Sequence, residues 1–100
     1  MTGERWFFDT NILVYLFDAK TPEKRETARS LWDRACREAE PVLSTQVLQE
    51  FFATVTKTVK QGIPIPTARE AILDFSDIAE VVAISVPLIV SATQRVEQSN

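Results

Sequence analysis

Arg5-Trp6-Phe7-Phe8-Asp9-Thr10-Asn11-Ile12-Leu13-Val14-Tyr15-Leu16-Phe17 is the stretch on which the reading of the chain turns. Its first five residues are rich in aromatics and show no apolar-polar alternation. That predicts a strand, Arg5 to Asp9, buried on both faces at the centre of a parallel sheet. Thr10 and Asn11 then offer capping side chains, and Ile12 to Phe17 reads as a short buried helix ending near Asp18. A carboxylate therefore stands where a strand hands over to a helix. In open parallel sheets this is the end at which ligands gather, and Thr10 and Asn11 can orient Asp9 by hydrogen bonds. An aspartate in this place can equally do no more than cap the helix, and the tripeptide alone leaves both readings open.

Outward from this stretch, Thr21-Pro22 supplies an N-cap with proline at the first helical position. Ala28, Leu31, Trp32, Ala35, Cys36 and Ala39 follow at helical spacing and define a second helix. Pro41 to Ser44 fits a second strand, reached by a helical crossover and so parallel to the first. Ser44 or Thr45 caps a third helix with Val47, Leu48, Phe51, Phe52, Val55 and Val59 on its apolar face, stopping near Gly62. Ile63-Pro64-Ile65-Pro66 reads as a rigid extended connector. Thr67 and Glu70 form a capping box before a fourth helix with Ala68, Ala71, Ile72, Phe75, Ile78 and Ala79 inward, ending at Glu80. Val81 to Ile84 is the third expected strand. Ser85 opens a last helix with Pro87 in its first turn and Val86, Ile89, Thr93 and Val96 facing inward. The order predicts one α/β domain over residues 1–100, a parallel sheet of about three strands flanked by helices.

Composition narrows the chemistry. Apolar residues make up 45% of the 100, enough for a core, and the formal charge of −3 comes from interspersed acids and bases with no basic block. Any nucleic-acid contact must then be local. There is no histidine, which removes imidazole ligands and the Ser/His and Cys/His nucleophile pairs. The two glycines, Gly3 and Gly62, cannot build a phosphate-binding loop. A lone Cys36 permits neither an intrachain disulfide nor a thiolate zinc cluster, which suits a reducing cytoplasm. The apolar run Ile12 to Phe17 is far too short to span a membrane, and Met1 to Arg5 lacks the layout of a signal peptide, so no membrane association is expected. If the chain is an enzyme, carboxylates and a metal are its means.

Glu50 is the second carboxylate of interest. It lies in the second turn of the third helix, which leaves the strand expected beside the first, so it can approach the same end of the sheet as Asp9. Two carboxylates brought together favour a hard divalent cation between them, Mg²⁺ or Mn²⁺. A helical wheel also sets Glu50 about 60° outside the apolar stripe, where an ordinary solvated glutamate would stand. Periodicity does not decide between the two. Asp74, Asp77 and Glu80 decorate the polar face of the fourth helix and, with Glu97, read as solvated surface. Lys20, Lys24, Arg25 and Arg29 are interleaved with Glu23 and Glu26 and read as helix-surface ion pairs. Trp6, Phe7, Phe8, Trp32, Phe51, Phe52 and Phe75 fall on strands or apolar faces and read as core.

Phe7-Phe8-Asp9-Thr10-Asn11-Ile12-Leu13-Val14-Tyr15, with Glu50 following Asp9 by 41 positions inside Leu43-Ser44-Thr45-Gln46-Val47-Leu48-Gln49-Glu50-Phe51-Phe52, resembles PIN-domain toxins of the VapC type. The similarity runs through the whole chain, including Thr21 to Arg25 and the Pro64 to Thr67 connector. The resemblance implies a Mg²⁺- or Mn²⁺-dependent endoribonuclease that cuts RNA and is neutralised by a cognate antitoxin encoded beside it. By that resemblance Asp9 and Glu50 would be metal-binding and catalytic acids, and Asn11, Thr10, Ser44 and Thr45 would stand behind those ligands or near substrate. It also implies a further segment, with an aromatic residue before a third aspartate and another strand, that these residues do not contain. The chain then corresponds to the N-terminal part of such a domain, C-terminally truncated. Two expectations follow: weak or no cleavage unless another chain supplies the missing acids, and self-association, as a homodimer or higher form, through an exposed sheet edge. The alternative is a split domain without catalysis that serves as an antitoxin-binding or self-associating module. A third class, phosphotransfer through an aspartyl nucleophile, is disfavoured because Asp9-Thr10-Asn11 lacks a second acid two residues on.

Overall fold

The computed structural model describes residues 3–57, 62–87, 89–90 and 93–94. In chain order it contains β1 (Arg5–Phe7), α1 (Thr10–Leu16), α2 (Pro22–Glu38), β2 (Glu40–Ser44), α3 (Thr45–Lys57), α4 (Ile65–Ile78) and β3 (Glu80–Val82). The three strands form one parallel sheet in the order β1-β2-β3, with Phe7 beside Val42 and Val42 beside Glu80. This is the α/β architecture expected, a three-stranded parallel sheet flanked by four helices.

The position of β1 differs from expectation: β2 is central and β1 lies at an edge. The aromatic run conceals an alternation. Trp6 and Phe8 are half-buried, whereas Arg5 and Phe7 are exposed, Phe7 at 55%. The Arg5 guanidinium sits 5.5 Å from the centre of the Phe7 ring and also pairs with Glu80 at 2.8 Å, so a cation covers part of what the sequence suggested was core. Burial on both faces belongs instead to β2, where Pro41, Val42 and Leu43 are all buried.

Aromatic rings link α2, α3 and α4 to the C-cap of α1. Phe8 meets Trp32 at 5.2 Å, Trp32 meets Phe75 at 5.5 Å, Phe75 meets Phe51 at 5.4 Å, and Phe51 meets Phe17 at 5.5 Å. These are edge-to-face or tilted contacts, the arrangement that ring quadrupoles favour. Leu13, Leu43 and Phe51 are completely buried among them. On α2 the inward residues are Ala28, Trp32, Ala35 and the capping Ala39, while Leu31 and Cys36 of the expected stripe are exposed.

Several boundaries move for physical reasons. Thr21 is the N-cap residue of α2 but makes no side-chain cap; its hydroxyl donates to Asp18 at 2.8 Å, and Asp18 also accepts from the Lys20 amide at 2.9 Å. α4 starts at Ile65 with Pro64 as N-cap residue and Pro66 in the first turn, so Thr67 lies inside the helix and the expected capping box is not its start. Proline fits the first turn because the amides there have no intrahelical partner. α4 ends at Ile78 and Glu80 already belongs to β3, one residue before the strand expected at Val81. Ile78 is 54% exposed rather than inward. Residues 86–87, 89–90 and 93–94 are helical, and the Ile89 amide donates to the Ser85 carbonyl at 3.0 Å, in line with a helix opened by Ser85. Val86 and Ile89, expected to face inward, are 72% and 52% exposed. Val59, Val96 and Glu97 lie outside the described residues. No helix among the described residues is long and apolar enough to cross a membrane.

Candidate active site

The Phe8 amide donates to the Val42 carbonyl at 3.2 Å, which carries the pairing of β1 with β2 one residue past the strand. The chain then turns at Asp9, whose extended backbone (φ −89°, ψ 174°) makes it the N-cap residue of α1. Its Oδ1 accepts from the Ile12 amide at 3.3 Å. Asp9 thus caps the helix and is exposed at the carboxyl end of the sheet.

β2 delivers the second half in the same way. Ser44 ends the strand and its Oγ accepts from the Val47 amide at 3.0 Å, which caps α3 and settles the choice between Ser44 and Thr45. Glu50 is then the sixth residue of α3, exposed, and its carboxylate reaches across to α1. The Thr10 hydroxyl donates to Glu50 Oε2 at 3.0 Å. Thr10 directly follows Asp9, so this bond brings the two expected acids to one end of the sheet, one on each side of the α1–α3 junction. Thr10 was expected to orient Asp9; it holds Glu50 instead, and Asp9 takes its restraint from the backbone.

Sequence reasoning passed over Gln46. Its Nε2 donates to Glu50 Oε1 at 3.1 Å, so each carboxylate oxygen of Glu50 has a neutral donor. The signal was available in the spacing, because residues four apart on a helix are neighbours. Asn11 and Thr45 stand exposed in the first turns of α1 and α3. Neither is hydrogen-bonded to Asp9 or Glu50 among the described residues.

The donor set suits a hard divalent cation. Each carboxylate offers about four lone-pair sites, and one bond accepted by Asp9 and two by Glu50 leave others for a metal or its waters. Mg²⁺ and Mn²⁺ prefer oxygen ligands, and Mg²⁺ is often held by one or two carboxylates with waters completing its shell. Among the described residues no group of three or more His, Cys, Asp or Glu side chains is arranged to hold a metal. Asp9 and Glu50 are the two carboxylates at this end of the sheet that could contribute to one.

The other polar clusters lie apart from this pair. Asp74 and Asp77 are exposed on α4, and Glu80 pairs with Arg5. Among the described residues the ion pairs are Arg5–Glu80 and Arg34–Glu38, so Lys20, Lys24, Arg25 and Arg29 do not form the pairs expected of them. The Lys24 ammonium lies 5.2 Å from the Tyr15 ring centre, beside a groove between α1 and α2 lined by Ile12, Glu23, Thr27 and Ala28. Cys36 is exposed on α2; partial burial, then the nearby Asp33, pushes its thiol above the ordinary range, away from thiolate chemistry.

The sequence profile of the PIN domain family matches residues 6–99, nearly the whole chain. No curated protein matches it closely enough to count as a relative.

Proposed function

The chain belongs to the PIN domain family, whose members are generally nucleases that typically use divalent metal ions, and from that premise we propose that it is a metal-dependent endoribonuclease. The observation that carries the reading is the bond from Thr10 to Glu50, which joins the acid of α3 to the residue beside Asp9. Asp9 and Glu50 would hold Mg²⁺ or Mn²⁺ between α1 and α3. When bound, such an ion supplies Lewis-acid chemistry, activating water for attack on a phosphodiester and neutralising charge on the phosphoryl oxygens. The chain's own part is placement. Asp9 is fixed by the cap of α1, Glu50 by Thr10 and Gln46, and Ser44 sets the start and direction of α3. Asn11 and Thr45, exposed in the first turns of α1 and α3, would be the groups to meet the substrate backbone. With no histidine in the chain, proton transfer would fall to carboxylates such as Asp9 and Glu50 or to water.

The toxin role belongs to the same proposal and is supported by the motifs around Asp9 and Glu50. It brings with it a cognate antitoxin, a cytoplasmic setting and RNA as substrate. Self-association fits the open edge of β1 with its exposed Phe7. A second reading, an interaction module without catalysis, is favoured by the pair of acids standing without a third among the described residues.

Incubation of the purified chain with an RNA pool separates the two. A nuclease cuts in Mg²⁺, stops with chelator, and loses more than about a hundredfold of its rate in Asp9→Asn. Cleavage that survives Asp9→Asn would sink the assignment of the site, and binding of a partner without cleavage by any form would favour the module.

A further inference from the structure

An exposed glutamate on a helix ordinarily moves among several rotamers, and a metal ligand that does so binds weakly because it must be ordered each time. Glu50 is exposed yet tethered at both oxygens: Thr10 donates to Oε2 from α1, and Gln46 donates to Oε1 from one turn earlier in α3. Both donors are uncharged. Lysine or arginine in either place would fix the carboxylate but would also offset its charge and compete with a cation for it. The ion pairs among the described residues, Arg5–Glu80 and Arg34–Glu38, do not involve Glu50.

We infer that Gln46 is a positioning residue for a divalent-cation site, holding the Glu50 carboxylate in a set orientation through an uncharged donor. This rests on the metal-site reading above and adds to it a residue outside the motif acids. Gln46 acts through Glu50 and touches neither ion nor substrate. Outer-shell hydrogen bonds of this kind orient ligands and tune metal affinity. A Gln–Glu pair at this spacing that served only the helix would add a little stability and leave cation affinity alone.

The test uses the whole chain and Mn²⁺ alone, with affinity read from the electron paramagnetic resonance signal of free Mn²⁺ and folding read from thermal unfolding without metal. Gln46→Met keeps side-chain length and helix preference while removing the donor, and Gln49→Met is the matched control on the same helix. Expected are a roughly tenfold weaker Mn²⁺ affinity in Gln46→Met, unchanged affinity in Gln49→Met, and unfolding close to wild type in both. Gln46→His, which can still donate, should recover part of the loss. Wild-type affinity in Gln46→Met, with affinity lost in Glu50→Gln, would overturn the positioning role and leave the metal site standing. Wild-type affinity in both, or no Mn²⁺ binding by the wild type, would overturn the positioning role and the metal site together.

Discussion

The junction where α1 and α3 leave the sheet and the stretch from β3 onward draw on similar residues but use them differently. At the junction, Leu13, Leu43 and Phe51 are completely buried, and above them Thr10, Gln46 and Glu50 form one hydrogen-bonded set. From β3 onward, Val81, Ile84, Val86 and Ile89 are between 37% and 72% exposed. Asp9 and Glu50 therefore stand on the better packed of these two regions. The proposed metal site would depend on this, because each carboxylate inherits its position from the element beneath it.

The largest expected effect tests the packing side of that contrast. Phe51→Ala removes a ring shared by Phe17 and Phe75 and should cost about 3–5 kcal/mol, whereas Ile84→Ala on the exposed stretch should stay within about 0.5 kcal/mol. Urea unfolding measures both, and similar losses would erase the contrast. A smaller effect is expected at the start of α3. Ser44→Ala removes the cap and should cost about 1 kcal/mol, with the amide of Val47 losing protection from hydrogen exchange; unchanged protection would show that the hydroxyl does not hold the turn.

The smallest concerns pH. The Thr21 hydroxyl and then the Lys20 amide hold the Asp18 carboxyl below its usual value of 3.8. A group with a depressed folded pKa stabilises the fold above its unfolded pKa, and that contribution is lost as pH falls through the folded value. Wild type should thus lead Asp18→Asn in stability at neutral pH and lose that lead on the acid side of 3.8, as thermal unfolding across pH would show. A constant difference would mean that the bonds do not discriminate between the protonation states.

Much of this was legible in the sequence. Helical spacing located Trp32, Phe51 and Phe75, and a carboxylate after an apolar run located Asp9. Glu50 could not be placed from periodicity, because an exposed ligand and an exposed solvated glutamate occupy the same arc of a helix. Its meaning depends on Thr10, forty positions away, and only tertiary structure brings the two together. The edge position of β1 is not legible in the sequence, because an aromatic residue looks the same whether a core or a neighbouring guanidinium covers it, and Phe7 has Arg5. Ile63 to Pro66 reads as an extended connector, yet α4 starts within it, because a first helical turn accepts proline.

Paramagnetic broadening of backbone amide signals by trace Mn²⁺ tests most directly whether Asp9 and Glu50 act as one site. The structure predicts that Thr10, Asn11 and Glu50 broaden first and together, and that Asp9→Asn or Glu50→Gln abolishes the effect on both helices at once. Broadening that instead begins at Asp74 and Asp77 on α4, or that persists on α1 when Glu50 is neutralised, would contradict it.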